Sequence, residues 1–298
     1  MDHSHITSVF PQQGETATLK EQQRALYGLL QEFDRICRIL NTPYFLYAGT
    51  LLGAVRHQGF IPWDDDLDIL MLREDYQKFC REAPALCNNE LFYVQAEYSD
   101  HWPMFFSKLR LNDTACLEKH HPKDNDTHQG LYIDIFPCDN AYNSKLGRKF
   151  QFLCSKVIVA QGLDRRGYYT HSITKKLFMI ATRFLPGCIF RRIVRGPKKR
   201  GEWVHSYLGG ASKYARSTFP ARCFGHSVPM QFEAGEYPVP GRYDELLTIL
   251  YDDYMIIPPE EDRRCKEHSV LVDLKRSWYH YEHYRDGMEF EDPIKSIR

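Results

Sequence analysis

Gly49-Thr50-Leu51-Leu52-Gly53-Ala54-Val55-Arg56-His57-Gln58-Gly59-Phe60-Ile61-Pro62-Trp63-Asp64-Asp65-Asp66-Leu67-Asp68-Ile69 is the stretch whose reading decides the fold. Asp64, Asp65, Asp66 and Asp68 crowd into its end. Such carboxylates repel one another, so a folded protein keeps them together chiefly where a cation neutralises them. From Asp66 to Leu70 acidic and apolar residues alternate with the period of a strand, setting Asp66 and Asp68 on one face and Leu67 and Ile69 on the other. Two carboxylates on one face can chelate a hard cation. Mg²⁺, with Mn²⁺ as the alternative, suits a site of one or two carboxylates completed by water and substrate phosphates. The expected substrate is a phosphate ester or anhydride.

Upstream, Gly49 and Thr50 follow the apolar run Tyr44 to Ala48 and precede a helical stretch from Leu51 to Arg56. A small residue and a hydroxyl at a strand-to-helix turn let backbone N–H groups approach a phosphate. Arg56, His57 and, further on, Lys108 supply cationic groups that can neutralise phosphate oxygens. Trp63 can stack on a base or cap the loop, and Pro62 fixes the turn before it. The competing reading of an acidic loop is solvated surface, and that of Lys108 a solvated strand-edge lysine.

A second acidic position stands in Leu131-Tyr132-Ile133-Asp134-Ile135-Phe136, where Asp134 interrupts an apolar strand. A carboxylate there is costly unless paired or bound to metal. The structural alternative is an ion pair with an arginine such as Arg56.

The string from Gly49 to Leu70 is similar to the signature of the LicD family, which includes bacterial phosphocholine transferases and is related to the fukutin-type transferases. Residues 132–139 and 232–263 extend the resemblance over most of the chain from Tyr44 to Arg263. One departure is visible: the family reads Tyr-Gly-Asp-Tyr where this chain has Tyr251-Asp252-Asp253-Tyr254. The resemblance implies an α+β fold of nucleotidyltransferase type, a mixed sheet flanked by helices, and a CDP-activated donor. It also implies a third metal carboxylate on a neighbouring strand, for which Asp134 is the choice. By the same resemblance the C-terminal segment packs beside the site, making Glu233 a candidate substrate-binding acid and Arg263 a candidate anion contact. Structural capping is the alternative for both.

The remaining periodicities are consistent with that class. A helical stripe runs from Leu19 to Leu40, strands are expected at 44–48, 66–72, 91–95, 104–110 and 132–136, and helices at 74–87 and 243–254. No GxGxxG fingerprint supports a dinucleotide fold. The aromatic and histidine-rich tail from Trp278 to Tyr284 reads as a packed helix without chemistry.

With 298 residues, 43% hydrophobic content and a formal net charge of +0, the chain can bury a core and is not a general nucleic-acid binder. No apolar run reaches the roughly 18 residues needed to span a bilayer, and Met1 to His5 do not open a signal peptide, so a cytoplasmic protein, peripheral at the inner membrane face, is expected. Nine cysteines form no close CxxC pair and read as reduced thiols. Cys116, His120, His121, His128 and Cys138 are zinc candidates by residue type alone, since their spacing fits no standard motif.

From Arg165 to Gly201 the chain holds eleven Arg and Lys residues and no acid, with interleaved apolar residues and a break at Pro186-Gly187. Basic amphipathic helices of this kind lie on anionic membranes. The alternative is an insertion packed apolar-side-in on the core. The expected organisation is a catalytic core at 1–140, a basic helical insertion at 141–228 and a C-terminal segment at 229–298. The expected reaction is Mg²⁺-dependent transfer of a phospho-alcohol, phosphocholine first, from a CDP donor to a glycan hydroxyl of the lipopolysaccharide or teichoic-acid kind. Two rivals stand: transfer of a nucleoside monophosphate to a small molecule, and a non-catalytic glycan- or membrane-binding protein.

Overall fold

A computed structural model describes residues 17–281 apart from 100, 119–126, 169, 171, 210–212 and 264–268. His120, His121, Cys265 and the tail beyond Tyr281 lie outside the described residues. In chain order the elements are α1 (Leu19–Leu40), β1 (Phe45–Leu46), α2 (Ala48–His57), β2 (Asp68–Leu72), α3 (Arg73–Leu86), β3 (Phe92–Gln95), β4 (Ser107–Leu111), β5 (Ala115–Glu118), β6 (Tyr132–Asn140), α4 (Lys145–Arg165), α5 (Ile173–Thr182), α6 (Gly187–Arg195), β7 (Trp203–His205), β8 (Thr218–Pro220), β9 (Ser227–Phe232), β10 (Gly235–Pro240), α7 (Tyr243–Tyr251) and β11 (Ser269–Asp273). The fold is mixed α+β.

Seven strands form the main sheet, ordered β1-β2-β6-β4-β3, with β7 on the far half of β6 and β8 beyond it. β2 and β6 run parallel, and the other pairs are antiparallel. Long β6 is the spine, because its first half pairs with β2 and β4 while Asp139 and Asn140 pair with β7. β7 and β8 lie within 141–228 yet extend this sheet, whereas α4 to α6 pack on one another beside it.

Helix α1 covers the core with Leu26, Leu29, Leu30, Phe33, Ile36 and Leu40, all buried, as its 3.6-residue period requires. Thr18 and Glu21 form a reciprocal capping box at its start. It stops at Asn41, whose φ of 50° is left-handed, two residues before Pro43. Phe33 packs edge-on against Tyr44 at 5.0 Å and on Phe79 of α3 at 4.8 Å, tying both helices to the sheet.

Several boundaries differ from the periodicity: β4 starts at Ser107 and not at 104, and β6 runs on past 136 to Asn140. β2 begins at Asp68 and not at Asp66, leaving Asp64 to Leu67 as an extended approach, although Asp134 N still donates to Leu67 O. The first strand is only Phe45–Leu46, because the chain turns at Ala48, which takes a φ of 45°. Gly49 and Thr50 consequently lie inside the first turn of α2 and not ahead of it. The hairpin β9–β10 was invisible to strand propensity because it carries Pro229, Pro238 and Pro240. Pro229 and Pro238 face one another in register, where no amide is needed for the ladder.

A further boundary is the end of α7, at Tyr251 and not at Tyr254. Asp252 there takes a φ of 60° and a ψ of −114°, a backbone conformation natural to glycine, at the position where the family pattern has one. Its carboxylate, 80% exposed, reaches Arg216 at 2.8 Å. An exposed pair of this kind contributes no more than about 0.5 kcal/mol, while the strained backbone costs about 1–3 kcal/mol. Asp252→Gly is expected to stabilise the protein by about 1 kcal/mol and raise the melting temperature by about 2 °C, read by thermal unfolding. A lower melting temperature would show that the Arg216 pair outweighs the strain.

Candidate active site

The parallel pairing of β2 with β6 sets Asp68 directly beside Asp134 in register. Residues paired in this way project from the same sheet face. Around Asp68 gather the charges of Asp66, Asp134 and Asp64, and together with burial they push its pKa well above the ordinary carboxylate range. Burial raises Asp134 as well, against the pull of Lys108. The Asp134 side chain keeps 18% of its surface exposed, so the pair remains open to a ligand.

Helices α1 and α2 position the acidic approach. Gln22 Nε2 donates to the carbonyl of Asp65 at 2.7 Å, and Gln23 Nε2 to that of Asp64 at 2.9 Å. Asp65 itself is buried. Thr50 Oγ1 accepts the Asp68 amide at 2.8 Å, so this hydroxyl fixes the start of β2. Gly49 lies against the Asp64 side chain: a Cβ there would stand 2.8 Å from Asp64 Oδ2. The carboxylate of Asp64 thus sits at the first turn of α2, where backbone amides and the helix dipole favour negative charge.

Lys108 is no surface lysine. It is 2% exposed on β4, opposite Asp134, with its ammonium 2.7 Å from Glu118 Oε1 and 3.3 Å from Asp134 Oδ1. The second contact lacks hydrogen-bond geometry, which leaves the buried Asp134 Oδ1 without a donor. The ammonium also lies 3.1 Å from the centre of the Tyr132 ring, with Trp102 and Phe106 beyond. Burial lowers its pKa despite both acids. Burial would raise Glu118, yet Arg166, Lys108 and Arg110 hold it well below its ordinary range. Arg166 pairs with Glu118, and buried Arg110 donates to Gln95 Oε1 and Gly130 O. Asp134, Lys108, Glu118 and Arg166 form one alternating row of charge.

Other expected residues have structural partners. Arg56 does not reach Asp134: its guanidinium donates to the carbonyls of Tyr254 at 2.9 Å and Ile256 at 3.2 Å, tying α2 to the segment after α7. Glu233 Oε1 accepts the Phe60 amide at 3.0 Å, which makes its visible role a clamp on the turn after α2. Arg263 donates to Pro258 O and lies over the Trp63 ring at 5.6 Å, and His57 meets the same ring edge-on at 6.1 Å. Burial and the Arg56 charge depress His57. His128 is locked between Tyr93 and Trp278 and bonded to Asn112, with burial pushing its pKa down to about 3.

Among the described residues no three His, Cys, Asp or Glu side chains converge on a ready metal cage. Of the zinc candidates, His120 and His121 lie outside the described residues. Magnesium needs no such cage, since it keeps waters and takes substrate oxygens beside one or two carboxylates. Asp134, its side chain 18% exposed, in register beside Asp68 fits that donor set. Sequence reasoning missed Gln22, Gln23, Glu118 and Arg166, and also Tyr251, whose hydroxyl is pushed above its ordinary range by burial and by Asp68, Asp64 and Asp66. The only signals for these were polar residues on otherwise apolar elements.

Fold and site together define a mixed α+β protein with an acidic cluster gathered at a parallel strand pair. Residues 41–152, which span Asp64 to Asp68 and Asp134, match the LicD/FKTN/FKRP nucleotidyltransferase domain. Over 260 residues, 83% of this chain and 95% of the relative, the sequence is 28% identical to the lipopolysaccharide cholinephosphotransferase LicD of Haemophilus influenzae. An uncharacterized protein of Rickettsia typhi is 47% identical over 140 residues, 43% of this chain and 39% of that one. Residues 41–152 thus match a LicD-family domain, and most of the chain is similar to the Haemophilus relative.

Glu118→Ala would strand Lys108 and Arg166 without their shared acid, and a loss of about 3–5 kcal/mol in denaturant unfolding is expected. Asp68→Asn has the opposite sign. A carboxyl raised in the folded state adds stability below its unfolded value, near pH 4, and loses it as pH rises through the native value. In EDTA the wild type is therefore expected to melt higher at about pH 5 than at about pH 8 on this account, and Asp68→Asn to melt higher at about pH 8 and to flatten the slope. Calorimetric melts across that range check both signs.

Proposed function

We propose that this chain is a LicD-type transferase that moves phosphocholine from CDP-choline to a hydroxyl of a cell-surface glycan of the lipopolysaccharide or teichoic-acid kind, releasing CMP. The observation that carries the reading is the in-register pair of Asp68 and Asp134 with Asp64 and Asp66 around it. The name of the Haemophilus relative supplies choline and the lipopolysaccharide acceptor. The CDP form of the donor and the release of CMP come from the family resemblance.

Asp66, Asp68 and Asp134 would hold Mg²⁺, with Mn²⁺ as the alternative. Bound there, the ion supplies neutralisation of a diphosphate that the acids alone would repel. Asp134 would complete that metal set or, in its place, accept the proton of the attacking hydroxyl. Attack falls on the phosphorus distal to the nucleoside, that P–O bond breaks, and the electron pair leaves on CMP. The first turn of α2, with Gly49 and Thr50, and the side chains of Arg56, His57 and Lys108 would meet the developing phosphate charge either directly or by fixing the acids. Trp63, with Arg263 over it, offers a face for the cytosine ring. The three-part organisation belongs to the same proposal: core at 1–140, basic insertion at 141–228, C-terminal segment at 229–298.

Asp66→Ala, Asp68→Ala or Asp134→Ala is expected to abolish phosphocholine transfer, measured as CMP release with Mg²⁺ and purified acceptor, while circular dichroism stays that of the wild type. Near-normal turnover in any of the three removes that residue from the metal assignment. Calorimetry against CDP-choline, CDP-ribitol and CDP-glycerol should show binding that EDTA abolishes. Equal affinity without the cation contradicts the mechanism. Pyrophosphate released from a nucleoside triphosphate, in place of CMP from CDP-choline, would favour the nucleotidyl-transfer alternative.

A further inference from the structure

Helix α5 turns its apolar stripe away from the protein. Ile173, Leu177 and Ile180 recur at i, i+4 and i+7 along one face, continued by Phe184 just past the helix end. Met179 and Thr182, the buried residues of α5, fall on the opposite side at about 100° per residue. Ile173 is 73% exposed, Leu177 61% and Phe184 85%. An insertion folded only for its own stability would carry these side chains inward, as α1 does. Helix α4, on which α5 and α6 rest, adds exposed Leu146, Phe150 and Leu153.

Charge along the same segment has one sign. Part of it is used internally: Arg166 pairs with Glu118, Arg183 with Asp164 and Arg195 with Glu97, while Arg200 donates to the carbonyls of Ala221 and Phe224. Lys175, Lys176, Arg192, Lys198 and Lys199 are exposed and have no acidic partner among the described residues. An exposed apolar stripe and unpaired cations within one segment, Lys176 flanking the stripe itself, are the chemistry of an interfacial helix, whose apolar face enters the acyl boundary while Lys and Arg meet anionic head groups. A second copy of the chain fits less well, because a two-fold contact would oppose like charges.

We propose that α5 and the turn into α6 seat this protein on an anionic lipid surface. The proposal does not rest on the reaction at the acidic cluster, and its test is binding. Full-length protein is sedimented with vesicles of phosphatidylglycerol and phosphatidylcholine, and with phosphatidylcholine alone, across a range of salt. Wild type is expected to bind the anionic vesicles in a salt-sensitive way and the neutral ones weakly. Replacing Ile173, Leu177 and Phe184 by Ser removes exposed side chains only, and should weaken vesicle binding by about 100-fold with an unchanged circular dichroism spectrum. Replacing Lys175, Lys176, Arg192, Lys198 and Lys199 by Gln should weaken it by at least about 100-fold at low salt and abolish the salt dependence, since each basic residue contributes about fivefold. CMP release from CDP-choline in solution, where it is detected, should be the same in both variants as in wild type. The proposal is overturned if wild type does not bind anionic vesicles, if it binds neutral ones equally, or if both variants match it. It is also overturned if the Ser variant merely turns a vesicle-indifferent dimer into a monomer in analytical ultracentrifugation.

Discussion

Everything at the site depends on one register, the parallel pairing that sets Asp68 of β2 beside Asp134 of β6. A slip of one residue would turn both acids into the core and bring Ile69 and Ile135 out. The register is held from both faces. Ile69, Met71, Ile133 and Ile135 are buried on the apolar side, where a slip would expose them. On the polar side Thr50 takes the Asp68 amide, and the glutamines of α1 take the carbonyls of the approach. The acids therefore do not hold themselves together; rigid elements hold them against their own repulsion.

Behind the pair, the row Asp134, Lys108, Glu118 and Arg166 alternates in sign. Buried ion pairs rarely stabilise a protein more than apolar residues of the same shape would. Their retention here has a local reason: each charge defines the next, and the end of the row is the acid that faces the opening. Burial favours the neutral forms of Lys108 and Asp134, whereas Glu118, with Arg166, Lys108 and Arg110 around it, stays charged. Arg166 also joins this row to the end of α4, so the basic segment is anchored to the core through an acid and not only through packing.

The amino-acid pattern made α1, the acidic strand, Asp134 and the break between α5 and α6 legible, because each is written in local periodicity or in a single costly residue. It could not show which partner Asp134 has. An arginine such as Arg56 was the candidate, but the antiparallel pairing of β4 with β6 delivers Lys108, and Arg56 goes to carbonyls after α7. Glu118 stood in no expected element, and its meaning comes from Lys108 and Arg166. The hairpin β9–β10 escaped because proline lowers strand propensity, while paired prolines in a two-stranded ladder cost it no hydrogen bond.

Net charge near zero conceals two segregated fields, an acidic one at the β2–β6 pair and a basic one on α4 to α6. In a chain of mixed surface charge the two would neutralise each other through neighbouring pairs. Among the described residues Arg166, Arg183 and Arg195 of the segment pair with acids, and each of those pairs fixes a helix to its surroundings. The cations left over accompany apolar residues that gain nothing from water. Burying that stripe and neutralising those cations require the same partner, one apolar in depth and anionic at its surface, which is why one lipid face satisfies both constraints where a soluble protein partner would need two separate patches.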